Sequence, residues 1–206
     1  MNSIRAILFD ADGVVQLTPP DWIEQVAKLC NQPNRADDFV QAVFAAEQPS
    51  LTGEADFCED LAGVLERWDA PCSLDDALRT WTLIEPDLEV LQLIKQCRSQ
   101  GFIACLATNQ QNYRATYMSE ELDYASHFDY LFYSCDLGAK KPSHNYFSLI
   151  CDHLNLPADQ MLFIDDHLAN VEAAQQAGLA AFQFHLSQGV ATLKSSLESQ
   201  GVILQL

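Results

Sequence analysis

Four short stretches of this sequence place reactive polar residues where an apolar run stops. Asp10 and Asp12 follow residues 4–9, and Thr108 and Asn109 follow residues 102–107. Lys140 and Lys141 follow residues 130–134, and Asp165 and Asp166 follow residues 161–164. Each apolar run is short enough for a buried strand. In an open parallel sheet the ends of such strands share one edge, where ligands bind. Folding would therefore gather four carboxylates, a hydroxyl or amide, and an ammonium into one crevice. Crowded carboxylates repel, so the arrangement demands a cation. Oxygen ligands without paired His or Cys point to Mg²⁺. A lysine beside that metal favours a bound phosphate, and a carboxylate can then act as nucleophile and form an aspartyl-phosphate.

The elements that must position these residues are legible in the periodicity. After the first strand the pattern is helical, with pieces predicted at 21–30, 36–47, 55–68 and 74–83 and no strand among them. Beyond Glu85-Pro86 helices and apolar strands alternate: helix 88–100, strand 102–107, helix 112–121, strand 130–134, helix 145–154, strand 161–164, helix 169–177 and strand 180–184, then a C-terminal helix. Strands that are apolar throughout imply a parallel sheet covered on both faces. The expected class is α/β: a Rossmann-like core from residues 1–15 and 87–206, with an all-helical cap domain of residues 16–86 inserted after the first strand.

Composition narrows the function. The 206 residues carry 29 acids against 11 bases, a net charge of −18, which opposes a nucleic-acid partner. The inserted block holds 14 acids and 4 bases, or −10, an acidic and solvated surface. Nothing approaches a membrane span, and the N-terminus lacks a secretory pattern. Seven cysteines (30, 58, 72, 97, 105, 135 and 151), odd in number and without a CxxC pair, read as small buried hydrophobes of a cytoplasmic protein. The expected partner is a small phosphorylated metabolite, and the expected assembly a monomer or weak homodimer.

Taken in order, the four stretches resemble the motifs of the haloacid dehalogenase superfamily of phosphatases. Asp10-Ala11-Asp12-Gly13-Val14 looks like the first, Thr108-Asn109 the second and Gly138-Ala139-Lys140-Lys141-Pro142 the third. Residues 163–171, with Asp165, Asp166 and Asn170, look like the fourth. The helical insertion stands where that family puts a small cap (C1 type, subfamily IA). The ending Asp-Asp-x-x-x-Asn resembles the branch of the soluble epoxide hydrolase phosphatase domain and the sugar-1-phosphate phosphatases. The resemblance implies Asp10 as nucleophile and Mg²⁺ ligand. It makes Asp12 the acid–base, binding Mg²⁺ through its carbonyl, and Thr108 and Asn109 holders of phosphate oxygens. Lys141, by its place before Pro142, would neutralise phosphate and Asp10. Asp166 would be the direct metal ligand, with Asp165 beside it. Ala11, Gln16 and Ser143 depart from the commoner pattern without removing a reacting group.

Other residues carry less. Asp37-Asp38 and Asp75-Asp76 suit solvated helix starts. Trp22, Trp68 and Trp81 fall on helical stripes and read as cap core, His144 and His153 as surface, and His167 as a loop residue. Gln110, Gln111 and Arg114 are near enough to touch a substrate, but nothing in the sequence raises them above their neighbours. Within the superfamily, a phosphomutase would keep every one of these groups. A haloacid dehalogenase would lack an acid at position 12, since a halide leaves unprotonated. A signalling receiver would carry its acid pair after the first strand, not late in the chain.

Overall fold

In a computed structural model describing residues 3–204, β1 (Ala6–Phe9) is apolar and fully buried at every position. A two-residue strand, β2 (Gln16–Leu17), leads to four helices: α1 (Trp22–Ala27), α2 (Ala36–Ser50), α3 (Phe57–Arg67) and α4 (Leu74–Leu78). The chain returns through β3 (Glu85–Pro86) to α5 (Leu88–Ser99), β4 (Ile103–Thr108), α6 (Asn112–Glu120) and α7 (Tyr124–His127). It finishes with β5 (Tyr130–Tyr133), α8 (Ser134–Leu137), α9 (His144–Leu154), β6 (Met161–Asp165), α10 (Leu168–Gln176), β7 (Ala180–Gln183) and α11 (Val190–Ser199).

The five long strands form one parallel sheet in the order β5-β4-β1-β6-β7, with β1 at the centre. Alternate side chains feed two cores. Ile7, Phe9, Leu106 and Ile164 pack with α5 and α11 on one face. Ala6, Leu8, Cys105 and Phe163 pack with α9 and α10 on the other. Both faces are covered, which is why these strands show no polar alternation.

The four helices between β2 and β3 enclose a third core. Phe57, Leu61 and Val64 of α3 meet Phe39 and Val43 of α2, with Trp81 buried among them, 4.9 Å from the Phe57 ring. Asp56 caps α3 by accepting from the Glu59 amide, and the first-turn acids Glu59 and Asp60 favour its N-terminal dipole. Trp68 and Trp81 lie in or against this core as expected, whereas Trp22 both packs on Trp81 and lines the site cavity.

Several local expectations shift. α1 stops at Ala27 rather than residue 30, and α4 gives way after Leu78 to a 3₁₀ turn at Arg79–Thr82. α2 runs on through Pro49 to Ser50, because proline there deprives only the exposed Ala45 carbonyl of a donor. The four-residue helices α7 and α8, and the pairing of β2 with β3, are too short to leave a periodicity. That antiparallel pair, continued by the Asp87 amide donating to the Val15 carbonyl at 2.8 Å, joins the two chain connections into one ribbon.

Three of the cysteines (30, 97 and 105) are buried and four are half-buried, and all seven are free. Burial pushes the Cys97 thiol up to about 12, which keeps it protonated and unreactive. No helix among the described residues is long and apolar enough to cross a membrane.

Candidate active site

The C-terminal ends of β1, β4 and β6 open into a cavity of about 520 Å³. Asp10, Thr108, Lys141 and Asp166 line its floor, and Pro20, Trp22 and Ile23 close it from the helical block. Seven of the eight residues singled out by spacing belong to this edge, Lys140 being the exception, although their side chains do different things.

Lys141 is the centre of the buried charge. Its ammonium, 1% exposed, lies 2.7 Å from Asp10 Oδ1 and 2.6 Å from Asp165 Oδ2. Lys140, its neighbour, instead reaches out to Gln48 Oε1 of α2 at 2.7 Å. Asn109 builds the Lys141 loop. Its Oδ1 accepts from the Lys141 amide at 2.8 Å and its Nδ2 donates to the Lys141 carbonyl at 3.0 Å. Only the second amide N–H of that side chain stays available to a ligand. The buried Thr108 lines the cavity, and no hydrogen bond to the protein engages its hydroxyl among the described residues.

The late acid pair divides its labour. Asp165 is fully buried, and both its oxygens are occupied. Oδ1 accepts from the His167 amide (2.8 Å) and Asn170 Nδ2 (3.0 Å), and Oδ2 accepts from Lys141 and from the same Nδ2 at 3.1 Å. Asp166 is the opposite case, because its Oδ1 is buried with no hydrogen-bond partner among the described residues, His167 Nε2 lying 3.7 Å away. Asp166 also lies against Gly13, where φ is +80° and an added Cβ would come within 2.7 Å of Oδ2, so glycine alone fits that turn.

Asp10, Asp165 and Asp166 each place one oxygen within 4.8 Å of the others. Three carboxylates with one ammonium leave a net charge of −2 before any anion arrives. Burial pushes the Asp10 carboxyl up to about 7, against the opposing pull of Lys141, and burial raises Asp166 as well. The orphaned Asp166 oxygen, the all-oxygen donors and the unbalanced charge together fit a hard divalent cation. Among the described residues the Asp12 carbonyl accepts no backbone hydrogen bond, so it can join them.

The Asp12 carboxylate, expected within that cluster, is turned out of it. Arg114 of α6 grips it bidentately, with Nη1 2.8 Å from Oδ2 and Nη2 2.8 Å from Oδ1. Gln110 Nε2 adds a bond to Oδ2 and Gln16 Nε2 one to Oδ1, both at 3.0 Å. Despite burial, the Arg114 charge and these donors hold Asp12 below the usual carboxylate range. Gln16, at a departure from the commoner pattern, is fully buried and receives the Tyr124 hydroxyl at 2.8 Å. The sequence left Gln110 and Arg114 unranked because their partner lies about a hundred residues earlier. Gln111 touches nothing in the cavity; its side chain accepts from the Arg114 amide and so caps α6. His167 is an exposed residue at the start of α10, 3.7 Å from Asp166.

The chain is 26% identical over 204 residues to bifunctional epoxide hydrolase 2 of Sus scrofa, a match covering 86% of this chain and 36% of that protein. The chain thus spans about a third of that relative's length. It is 23% identical to a phosphorylated carbohydrates phosphatase of Thermotoga maritima, covering 85% of this chain and 82% of that one. The fold matches the HAD family enzyme bt-2542 of Bacteroides thetaiotaomicron with a TM-score of 0.82 at 16% identity, over 93% of this chain and 98% of that one. Residues 4–178 match the family described as haloacid dehalogenase-like hydrolase, and the chain belongs to that family.

Proposed function

We propose that this hydrolase cleaves phosphomonoesters of small metabolites, with Asp10 as the nucleophile. The carrying observation is the buried Asp10–Lys141–Asp165 array beside the unpartnered oxygen of Asp166. Several relatives of the chain, from Thermotoga maritima, Pseudomonas putida and Aspergillus oryzae, are named as phosphatases, which supports the reading. Asp10, Asp166 and the Asp12 carbonyl would hold Mg²⁺, with Asp165 beside it since its own oxygens are engaged. When bound, the cation offsets the charge that would otherwise keep a phosphate dianion from an anionic nucleophile.

Thr108, Asn109 and Lys141 then donate to the non-bridging phosphate oxygens. An Asp10 oxygen attacks phosphorus, and the bond to the leaving oxygen breaks with its electron pair. That oxygen takes a proton from Asp12, which must first leave the Arg114 fork that holds it ionised, and departs as an alcohol. Asp12, now a carboxylate, takes a proton from water while the water oxygen attacks the aspartyl-phosphate. The P–O bond to Asp10 breaks, freeing phosphate and restoring both acids. Residues 16–86 act as the cap over a core of residues 1–15 and 87–206, with Trp22 and Ile23 reaching into the cavity. Closure of that cap would exclude bulk water.

The test is phosphate release from a panel of phosphomonoesters, with and without a chelator, for the native protein and Asp10→Asn. Single turnover in ¹⁸O-water should place the label in the released phosphate and none on Asp10, because water attacks phosphorus and the P–O bond to Asp10 breaks. Undiminished turnover after exhaustive chelation, or in Asp10→Asn, would overturn the reading.

A further inference from the structure

The alcohol that leaves in the reaction just proposed can be read from the walls of the cavity, and this inference rests on that reaction. Among the described residues, every charged, amide or imidazole side chain lining the cavity comes from the sheet unit. The inserted block contributes Leu17, Thr18, Pro19, Pro20, Trp22 and Ile23, with a single hydroxyl among them. Attack by Asp10 from the floor is roughly in line with departure, so the leaving oxygen faces away from the sheet and toward this wall. The alcohol behind it therefore meets an apolar surface.

Polar alternatives are poorly served there. Trp22 already donates its indole N–H to the Thr80 carbonyl, so its ring has no donor left for a ligand. A sugar would press most of its hydroxyls against prolines, Leu17 and Ile23, and a buried hydroxyl without a partner is costly. A second anionic group finds no free cation. Lys141 is the one lysine or arginine lining the cavity among the described residues, and Asp10 and Asp165 already hold its ammonium.

The apolar wall also continues out of the cavity. Leu17 is 44% exposed and Ile23 57%. Single exposed hydrophobic residues need no explanation, but a contiguous surface of them marks a binding groove. Leu17 also lines a neighbouring groove of about 480 Å³, together with Pro86, Leu88 and Leu186, and Leu88 is 76% exposed. Glu85, Asp87 and Glu89 line the same groove and would repel an anionic tail. The path from the phosphate site over Leu17 to Leu88 is thus apolar, open-ended and hostile to anions.

We propose that the leaving group is an uncharged straight-chain alkyl alcohol, which lies against Trp22 and Ile23 and runs over Leu17 into the groove beside Leu88. Leu17, Ile23 and Leu88 then set specificity.

Primary alkyl phosphates from ethyl to octyl test this, because their leaving groups are nearly equal in basicity and differ only in the chain to be bound. The experiment measures kcat/KM under saturating Mg²⁺ for that series, for glucose 6-phosphate and for 3-phosphoglycerate, in native protein, Ile23→Ser and Leu88→Ser. Both replaced side chains are exposed, so the variants should keep the native melting temperature. Burying a methylene is worth up to about fourfold, so kcat/KM should rise roughly two- to fourfold per added carbon. Hexyl phosphate should exceed both polar esters by roughly 10-fold or more. Ile23→Ser should flatten the rise along the whole series, and Leu88→Ser only for the longest chains. A flat series, or either polar ester outrunning hexyl phosphate, would overturn the proposal and leave the phosphatase reading standing. A rise that survives undiminished in both variants would overturn it too, since the chain would then lie elsewhere. If no ester of the panel releases phosphate, the phosphatase reading fails and the proposal falls with it.

Discussion

Removing the charge of Asp10 should stabilise the metal-free protein, by an amount that grows with pH. Asp10 ionises at about 7 in the folded chain against 3.8 in the unfolded one. Burial is the largest cause, and repulsion from Asp165 adds to it against the attraction of Lys141. The folded state then binds more protons than the unfolded state between those values, so stability falls as pH rises through the window. A rise from 3.8 to about 7, at 1.36 kcal/mol per pH unit, corresponds to roughly 4 kcal/mol in total. The linkage relation places more than half of that loss between pH 5 and pH 8. Asp10→Asn cannot ionise but still offers Lys141 a carbonyl, so it should escape this loss. The assay is urea unfolding of both proteins in chelator at pH 5, 6, 7 and 8. The stability of Asp10→Asn relative to native should climb by roughly 2–3 kcal/mol across the series, since other titrating groups cancel in the difference. Saturating Mg²⁺ should flatten the climb by holding Asp10 ionised in the folded state. A difference that stays constant from pH 5 to pH 8 without metal would refute the reasoning.

The same charge arithmetic makes Mg²⁺ binding release a proton near neutrality, so apparent affinity should weaken as pH falls below 7, measurable by calorimetry in buffers of different ionisation enthalpy. Lys141→Met leaves two buried carboxylates without their counter-ion and should cost about 3–5 kcal/mol in chelator, with a larger thermal shift on adding Mg²⁺ than the native protein shows. Asp166→Asn should weaken Mg²⁺ binding while leaving the Asp10–Lys141–Asp165 array intact, as read from magnesium-induced stabilisation and the unfolding midpoint in chelator. Trp81→Ala should destabilise the helical block by about 3–5 kcal/mol through the cavity it opens and the lost bond to Glu47, seen as an earlier unfolding transition.

The sequence by itself determined which residues meet at the sheet edge. Strand ends are local features: an apolar run stops, and the next side chain lies at the edge whatever the rest of the chain does. Asp10, Thr108 and Asp165 were legible for that reason, as was the helical character of residues 21–83, whereas Lys141 stands eight residues beyond β5 and was picked from Lys140 by its place before Pro142. Tertiary structure alone decided how each oxygen is used. Adjacent acids 165 and 166 look alike in sequence, yet one is saturated by Asn170, Lys141 and a backbone amide while the other keeps an oxygen with no hydrogen bond among the described residues. Asp12 and Arg114 stand 102 residues apart, and their pairing depends on where α6 docks against the first loop. The helical block meets α6 through Tyr113 and the bond from Asn112 to Asp56, residues 56 positions apart in the chain. Hydrogen bonds are directional over a few tenths of an ångström. Spacing along a chain carries no information at that scale until the cores have set the elements against one another.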